Sequence, residues 1–360
     1  MSVIFKVEAS SGPYQVQIGA NLQITSEREN SFSIADELVF NLWKDIIPTD
    51  AFTVLAVEQN KTLETSSKII EAMRSKGVQR GSHLKAFGGG IIQDLATVTS
   101  SLYMRGIGWT YYPTTLLGMV DSCIGGKSSI NVGRYKNIAG NFYPPQEIII
   151  DVEFCKTLST PEQVAGLCEA VKICYAAKND SFDQYVKNFL DLPLPFSSEQ
   201  LLRLVELSLL TKKTFIEEDE FDNGVRLLLN FGHTIGHAIE AATHFSITHG
   251  VAIGIGMLAE IRMGMLLSGL NELPERAKLL DLYIRRLLKN IPYMVNTIRN
   301  LDVSTAFEAF KSDKKHTDQS YVIVVLDNRG YLKRVSIPVS EDINRITLEI
   351  FEWVKKDFLL

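Results

Sequence analysis

The sequence predicts an α/β fold: an N-terminal α/β domain of the nucleotide-binding kind over residues 1–157, then a mostly α-helical domain over 158–360. Three observations predict it. Short apolar strands alternate with helical stretches up to about residue 154, the pattern of a parallel sheet covered by helices. Long runs of helical periodicity take over from Leu158. At 360 residues the chain exceeds what one hydrophobic core comfortably serves.

Residues 1–20 read as a hairpin, IFKVEA and YQVQIG around a turn at Ser10-Ser11-Gly12-Pro13. FTVLAV (52–57) is a short buried strand. The following EQNKTLETSSKIIEAMRSKGV sets Leu63, Ile69, Ile70 and Met73 at helical spacing and stops at Gly77. LKAF (84–87) is a strand, and GGGIIQDLATVTSSLYMRG is a helix opened by three glycines. GWTYYPTT and EIIIDVEF supply further strands. Beyond them, helical patterns cover 161–178, 199–218, 229–243, 249–268 and 275–288. YVIVVLD and LKRVSIP flank Asn328-Arg329-Gly330 as a hairpin, and an amphipathic helix covers 341–357.

Composition narrows the function. Hydrophobic content of 46% and charged content of 22% belong to a globular protein. A net charge of −5 argues against general nucleic-acid binding. No run reads as long and apolar enough to span a bilayer, and MSVIFKVEASSG lacks a signal-peptide layout, so a cytoplasmic protein without a membrane partner is expected. Cys123, Cys155, Cys168 and Cys174 form no CxxC pair, which argues against a disulfide framework and a thiolate zinc site.

Four of the six histidines fall in RLLLNFGHTIGHAIEAATHFSITHG (226–250). His233 and His237 are four apart, one above the other on a helical face, and His249 opens the next helix. One histidine would be an ordinary polar residue at a helix end; three here point to a metal site. Glu169 in CEAVKICYAAK, three residues before Lys172, is a carboxylate able to complete it while leaving a coordination position open. Gly88-Gly89-Gly90, between a strand and a helix, suits close approach of a phosphate, although it is not GxGxxG. VDSCIGGKSSINVGRYKN (120–137) is a second glycine-rich stretch, carrying Lys127, Lys136 and Asn137. Arg226, Lys212, Lys213 and Asp313-Lys314-Lys315 suit anions; for each alone, a solvated face is the competing reading.

Taken in order and spacing, GGGIIQDL, YMRG, PTTLLGMVDSCIGGKSSINVGRYKN, CEAVK, NFGHTIGHAIE, HGVAIGIGM and DKK resemble the 3-dehydroquinate synthase family of sugar phosphate cyclases, over Glu58 to Lys315. The resemblance implies a Rossmann-like nucleotide-binding domain and a mostly helical metal and substrate domain. It implies an NAD-containing, homodimeric enzyme using zinc or another divalent metal such as cobalt. It gives the metal to Glu169, His233 and His249, and turns His237 toward the substrate. NAD contacts are expected at Asp36, Glu58, Lys61, Gly89, Gly90 and Asp94. Thr114, Thr115, Asp121 and Lys136 belong to the same set, with Thr157 and Leu158 lining it. Substrate contacts are expected at Lys127, Asn137, Lys172, Lys212, Arg226, Asn230, His237 and Lys315, with Arg105 reaching in from a neighbouring subunit.

The implied reaction is that of a carbon–oxygen lyase acting on a phosphate ester. It converts 3-deoxy-arabino-heptulosonate 7-phosphate to 3-dehydroquinate and phosphate through transient oxidation, phosphate elimination, reduction and intramolecular aldol closure. This places it in the shikimate pathway of aromatic amino acid biosynthesis. The alternative is a related cyclase acting on a substrate without a carboxylate, such as sedoheptulose 7-phosphate. Those branches tend to lose the arginine and asparagine held here at Arg226 and Asn230, and a buried guanidinium needs an anion. A metal-dependent oxidoreductase of the glycerol dehydrogenase type is a further alternative, opposed by the GGK–KN stretch and Arg226. Several positions depart from the family pattern. Gln93 and Val251 replace a usual glycine and glutamate, Thr97 to Ser101 differ, and the segment from Asp36 to Phe52 is short. These departures predict a divergent branch, altered surroundings at His249 and a lost strand in the nucleotide half.

Overall fold

The computed structural model describes residues 2–24, 30–133 and 135–357. β1 (Val3–Val7) and β2 (Tyr14–Gly19) form the antiparallel hairpin read from the sequence. β3 (Ser31–Asp36) runs into α1 (Glu37–Leu42), and β4 (Phe52–Val54) leads to α2 (Leu63–Ser75). β5 (His83–Gly88), α3 (Gly90–Leu102) and β6 (Gly108–Pro113) follow, then β7 (Ile130–Val132), β8 (Tyr135–Ala139) and β9 (Glu147–Asp151). Next come α4 (Thr160–Ala176), α5 (Ser181–Phe189) and α6 (Ser198–Glu218). α7 (His233–Ala242), α8 (His249–Ser268), α9 (Glu275–Leu288), α10 (Pro292–Arg299) and α11 (Val303–Lys311) complete the helical run. The hairpin of β10 (Ser320–Leu326) and β11 (Leu332–Pro338) and the helix α12 (Glu341–Asp357) close the chain.

Two compact units result, Met1–Leu158 with Phe196–Phe221, and Ser159–Pro195 with Asp222–Leu360. α6, read from the sequence as part of the helical half, lies in the first unit. Glu217 in its last turn accepts the Glu8 N–H at 3.0 Å, and Glu220, just past its end, accepts the Ser10 N–H at 2.9 Å.

The first unit is built on a seven-stranded sheet in the order β1-β2-β9-β6-β5-β3-β4, parallel except for β1–β2. β3, β5 and β6 each bury four or more successive residues, as a parallel strand covered on both faces requires. The segment between Asp36 and Phe52 holds α1 and turns, and the sheet ends there on the three-residue β4.

In the second unit α4 opens on a capping box, Ser159 with Glu162, and Pro161 occupies its first turn. α8 is buried nearly all round. Its length and composition suffice to cross a membrane, which corrects the expectation that no run could; 78% of its apolar window is buried inside the protein, and it is the core helix of this unit. Two glycines let it approach its neighbours. A Cβ on Gly250 would stand 2.2 Å from the Ala165 carbonyl oxygen of α4. A Cβ on Gly256 would stand 2.0 Å from the carbonyl oxygen of Gly232, the residue before α7. α4, α7 and α8 are therefore held close enough to share one cluster of side chains.

Candidate metal and anion sites

In the second unit that cluster contains Glu169 from α4, His233 and His237 from α7, and His249 from α8. Glu169 Oε1 faces His249 Nε2 at 3.6 Å and His233 Nε2 at 4.0 Å. The other carboxylate oxygen pairs with Lys172 one turn along the helix, both side chains buried. The three imidazole centroids are 5.2, 5.4 and 5.6 Å apart, and their ligand nitrogens lie within 4.8 Å of one another.

The second ring nitrogens fix the tautomers. His233 Nδ1 is 3.2 Å from the Phe231 carbonyl, and His249 Nδ1 is 3.1 Å from Glu240 Oε2. Both partners only accept, so each Nδ1 carries the proton and each Nε2 turns its lone pair toward Glu169. One carboxylate oxygen and two such imidazoles form a donor set suited to zinc or cobalt. His237 adds a third imidazole at the rim, so the geometry accommodates it beside the Glu169–His233–His249 set.

The environment keeps most of this cluster uncharged. Burial, then the Lys172 charge and the neighbouring imidazoles, hold His233 well below the usual imidazole range. Desolvation of its ring among the neighbouring groups, then the His249 charge, holds His237 down at about 4, although the residue as a whole lies at the exposed rim. For His249 burial opposes the cation, but the Glu240 bond and charge, with Glu169, raise it above the usual value.

Two carboxylates that the sequence reading did not single out support the cluster. Glu240, three residues after His237, orients His249; Val251, at the departure beside His249, is buried and apolar. Glu260 of α8 is fully buried, and its Oε2 accepts the Gly232 N–H at 2.6 Å. Its Oε1 accepts the N–H of Thr234 at 3.2 Å and of Ile235 at 3.4 Å. Burial raises its carboxyl above the usual range, opposed by the pull of these amides. Both oxygens already accept, so the anion is the form its donors fit. Helical spacing from His237 was the available signal for Glu240.

Elsewhere in this unit, Arg226 is buried and Asn230 donates to the Leu227 carbonyl at 3.1 Å. Lys315 pairs with Asp313 at 2.6 Å.

In the first unit Lys61 is the hub of a polar group. Its Nζ donates to Asn137 Oδ1 at 2.6 Å and to Ser129 at 3.3 Å, and pairs with Asp94 at 3.1 Å. Asp94 also accepts the Ser129 N–H at 3.0 Å. Burial raises the Asp94 carboxyl against the pull of Lys61 and Ser129. Glu58 joins through Asn131 at 2.9 Å, and the Asn137 N–H donates to Asn131 at 2.9 Å. Four expected residues (Glu58, Lys61, Asp94 and Asn137) thus meet here, with Asn137 in left-handed backbone at φ 53°. Lys212 is bonded instead to Asp121, 2.5 Å to its carboxylate and 2.6 Å to its carbonyl.

At the start of α3, Gly89 provides no side-chain cap, and a Cβ on Gly90 would meet only open space. Beside this turn, where the Thr114 N–H donates to the Gly88 carbonyl at 3.0 Å, the buried Thr114 hydroxyl lacks a protein partner, and Thr115 accepts the Gly118 N–H at 3.1 Å. Uncapped helix-start amides and an orphan hydroxyl fit the phosphates of a dinucleotide. Gln93 fills its departure from glycine with a two-way bond to Ser122, 2.6 Å in each direction. Lys127 is half-buried at the Gly125-Gly126 turn, and Lys136 is exposed on β8. Asp36 caps α1, Thr157 accepts from the Trp43 indole at 3.3 Å, and the Leu158 N–H bonds the Cys155 carbonyl. Arg105 is exposed, with Met104 and Arg105 both in left-handed backbone.

Known proteins match over the same stretches. Residues 51–165 match the 3-dehydroquinate synthase N-terminal family and 166–316 the 3-dehydroquinate synthase C-terminal family. The 3-dehydroquinate synthase of Saccharolobus solfataricus is 35% identical over 286 residues, 78% of this chain and 79% of that protein. That of Dictyoglomus turgidum is 33% identical over 354 residues, 95% of this chain and 97% of that protein. A crystal structure of 2-deoxy-scyllo-inosose synthase with carbaglucose-6-phosphate, NAD+ and Co2+ shares the fold, with a TM-score of 0.77 at 22% identity, covering 97% of this chain and 99% of that one. The two matched domains and the extended identity establish that this chain belongs to the 3-dehydroquinate synthase family.

Proposed function

We propose that the protein is a cyclase that converts 3-deoxy-arabino-heptulosonate 7-phosphate to 3-dehydroquinate and phosphate, as a homodimer in the cytoplasm. The observation that carries the reading is the convergence of the Glu169 carboxylate with the Nε2 atoms of His233 and His249 in a chain of this family.

Glu169, His233 and His249 hold the divalent metal, and the α3 turn at Gly89 and Gly90, with Lys61, Asp94, Thr114 and Thr115, holds NAD. NAD supplies reversible hydride acceptance, and zinc or cobalt supplies Lewis acidity at a substrate hydroxyl. The buried Lys172 ammonium pairs with Glu169 and balances its charge. His237 stays neutral near pH 7, able to accept a proton or donate a hydrogen bond to a phosphate. Arg226 presents the planar fork that reads a carboxylate, supported by Asn230. The family resemblance gives the substrate Lys127, Asn137, Lys212 and Lys315 as further polar contacts, and Arg105 from the neighbouring subunit. Asp36, Glu58, Asp121, Lys136, Thr157 and Leu158 complete the nucleotide contacts.

The test is a substrate panel followed by phosphate release. The heptulosonate phosphate yields phosphate and dehydroquinate with no net NADH. Turnover of sedoheptulose 7-phosphate alone would assign another cyclase activity, and accumulation of NADH from glycerol would assign a dehydrogenase.

A further inference from the structure

We propose that Glu260 is a positioning residue for metal binding: its carboxylate ties the start of α7 to α8 and so sets His233 in register with His249. The proposal rests on the metal-site reading above.

His233 is the first residue of α7, and the three amides that Glu260 accepts belong to Gly232, Thr234 and Ile235, on either side of it. These are helix-start amides, which no carbonyl of the same helix can serve. Gly232 is left-handed at φ 79° and offers no side-chain cap, so Glu260 supplies the cap from another helix. A carboxylate suits that end of the helix dipole.

α8 itself begins at His249, eleven residues before Glu260. At about 3.6 residues per turn this is close to three whole turns, which returns Glu260 to the His249 side of the helix. One turn before Glu260, Gly256 lies against the Gly232 carbonyl. α8 therefore grips the residues flanking His233 at two successive turns, by contact at Gly256 and by directed bonds at Glu260. Contact alone would let α7 slide or rotate; the bonds to both carboxylate oxygens fix its rotation, and with it the direction of the His233 ring. An apolar side chain would pack the two helices without burying a charge, so direction is what the carboxylate adds.

The test uses metal-stripped full-length protein. Zinc affinity is measured by chelator competition, the Co2+ complex by its visible absorption, and the fold by thermal melting, in wild type, Glu260→Gln, Glu260→Asp and His233→Ala. Glutamine keeps the shape but turns an NH2 group toward a backbone N–H; aspartate keeps the charge but is one methylene short. Both variants are expected to bind zinc about tenfold or more weakly and to shift the Co2+ bands. A purely structural role would lower the melting temperature and leave the Co2+ bands in place. Should Glu260→Gln fail to fold, Glu260→Asp decides. A folded variant with wild-type zinc affinity and Co2+ bands, alongside loss of metal in His233→Ala, overturns the proposal. Retention of metal by His233→Ala overturns the metal reading beneath it.

Discussion

His249 Nδ1 and Glu240 Oε2 stand 3.1 Å apart, on helices that begin and end within seven residues of each other. The bond fixes which nitrogen of His249 is available as a ligand. Glu240→Ala should weaken zinc binding by about 10- to 100-fold with little change in melting temperature. Chelator competition measures it; an unchanged affinity would remove Glu240 from the site.

Gly256→Ala should destabilise the protein by roughly 1–3 kcal/mol, because the added methyl meets the Gly232 carbonyl oxygen and must push α7 away. Gly90→Ala meets open space, so it should melt as wild type does while binding NAD more weakly. Thermal melting and NAD titration of the two variants separate packing from cofactor approach.

Removing one partner of the Lys61–Asp94 pair leaves a largely buried charge. Asp94→Leu should cost roughly 3 kcal/mol. Combining it with Lys61→Met should cost clearly less than the sum of the two single changes, because the orphaned ammonium is then gone. Urea unfolding of the four proteins gives the coupling. Strict additivity would mean that the pair is solvated in solution.

The metal-free protein should lose stability as pH falls through the range in which His237 differs between states. Its folded pKa, about 4, lies below the ordinary value of 6.5, so between those limits the unfolded chain binds a proton that the folded ring refuses. The contribution is complete above 6.5 and lost as pH falls toward 4. In the presence of chelator, His237→Gln should show a shallower fall of melting temperature over this range; parallel curves would contradict the depressed ring.

Elements with a clear period were legible in the sequence. The 341–357 helix coincides with α12, and the Asn328-Arg329-Gly330 turn joins β10 to β11. β3 was not legible: Ser31, Ser33 and Asp36 break its apolar run, and only the covered faces of the sheet explain a strand there. α5, α10 and α11, at nine, eight and nine residues, were too short to stand out between turns. The helix expected over 229–243 starts only at His233, since 225–230 wind more tightly and Gly232 turns the chain. Glu169 lies too far from the histidines for spacing to join it to them; its carboxylate on an apolar helix made it a candidate, and family resemblance selected it with His233 and His249. Glu260 stood outside every motif, because its partners are backbone amides, which leave no trace in residue type.

The return of α6 to the first unit has a consequence for biosynthesis. A ribosome releases β1 through β9 before it makes α6 and the turn after it, whose Glu217 and Glu220 latch onto Glu8 and Ser10. The stretch 159–195, which belongs to the other unit, emerges in between. The N-terminal unit therefore cannot be completed in the order in which it is translated. A fragment that stops at 158 lacks its last helix, and only a nascent chain extended past 221 carries all of it.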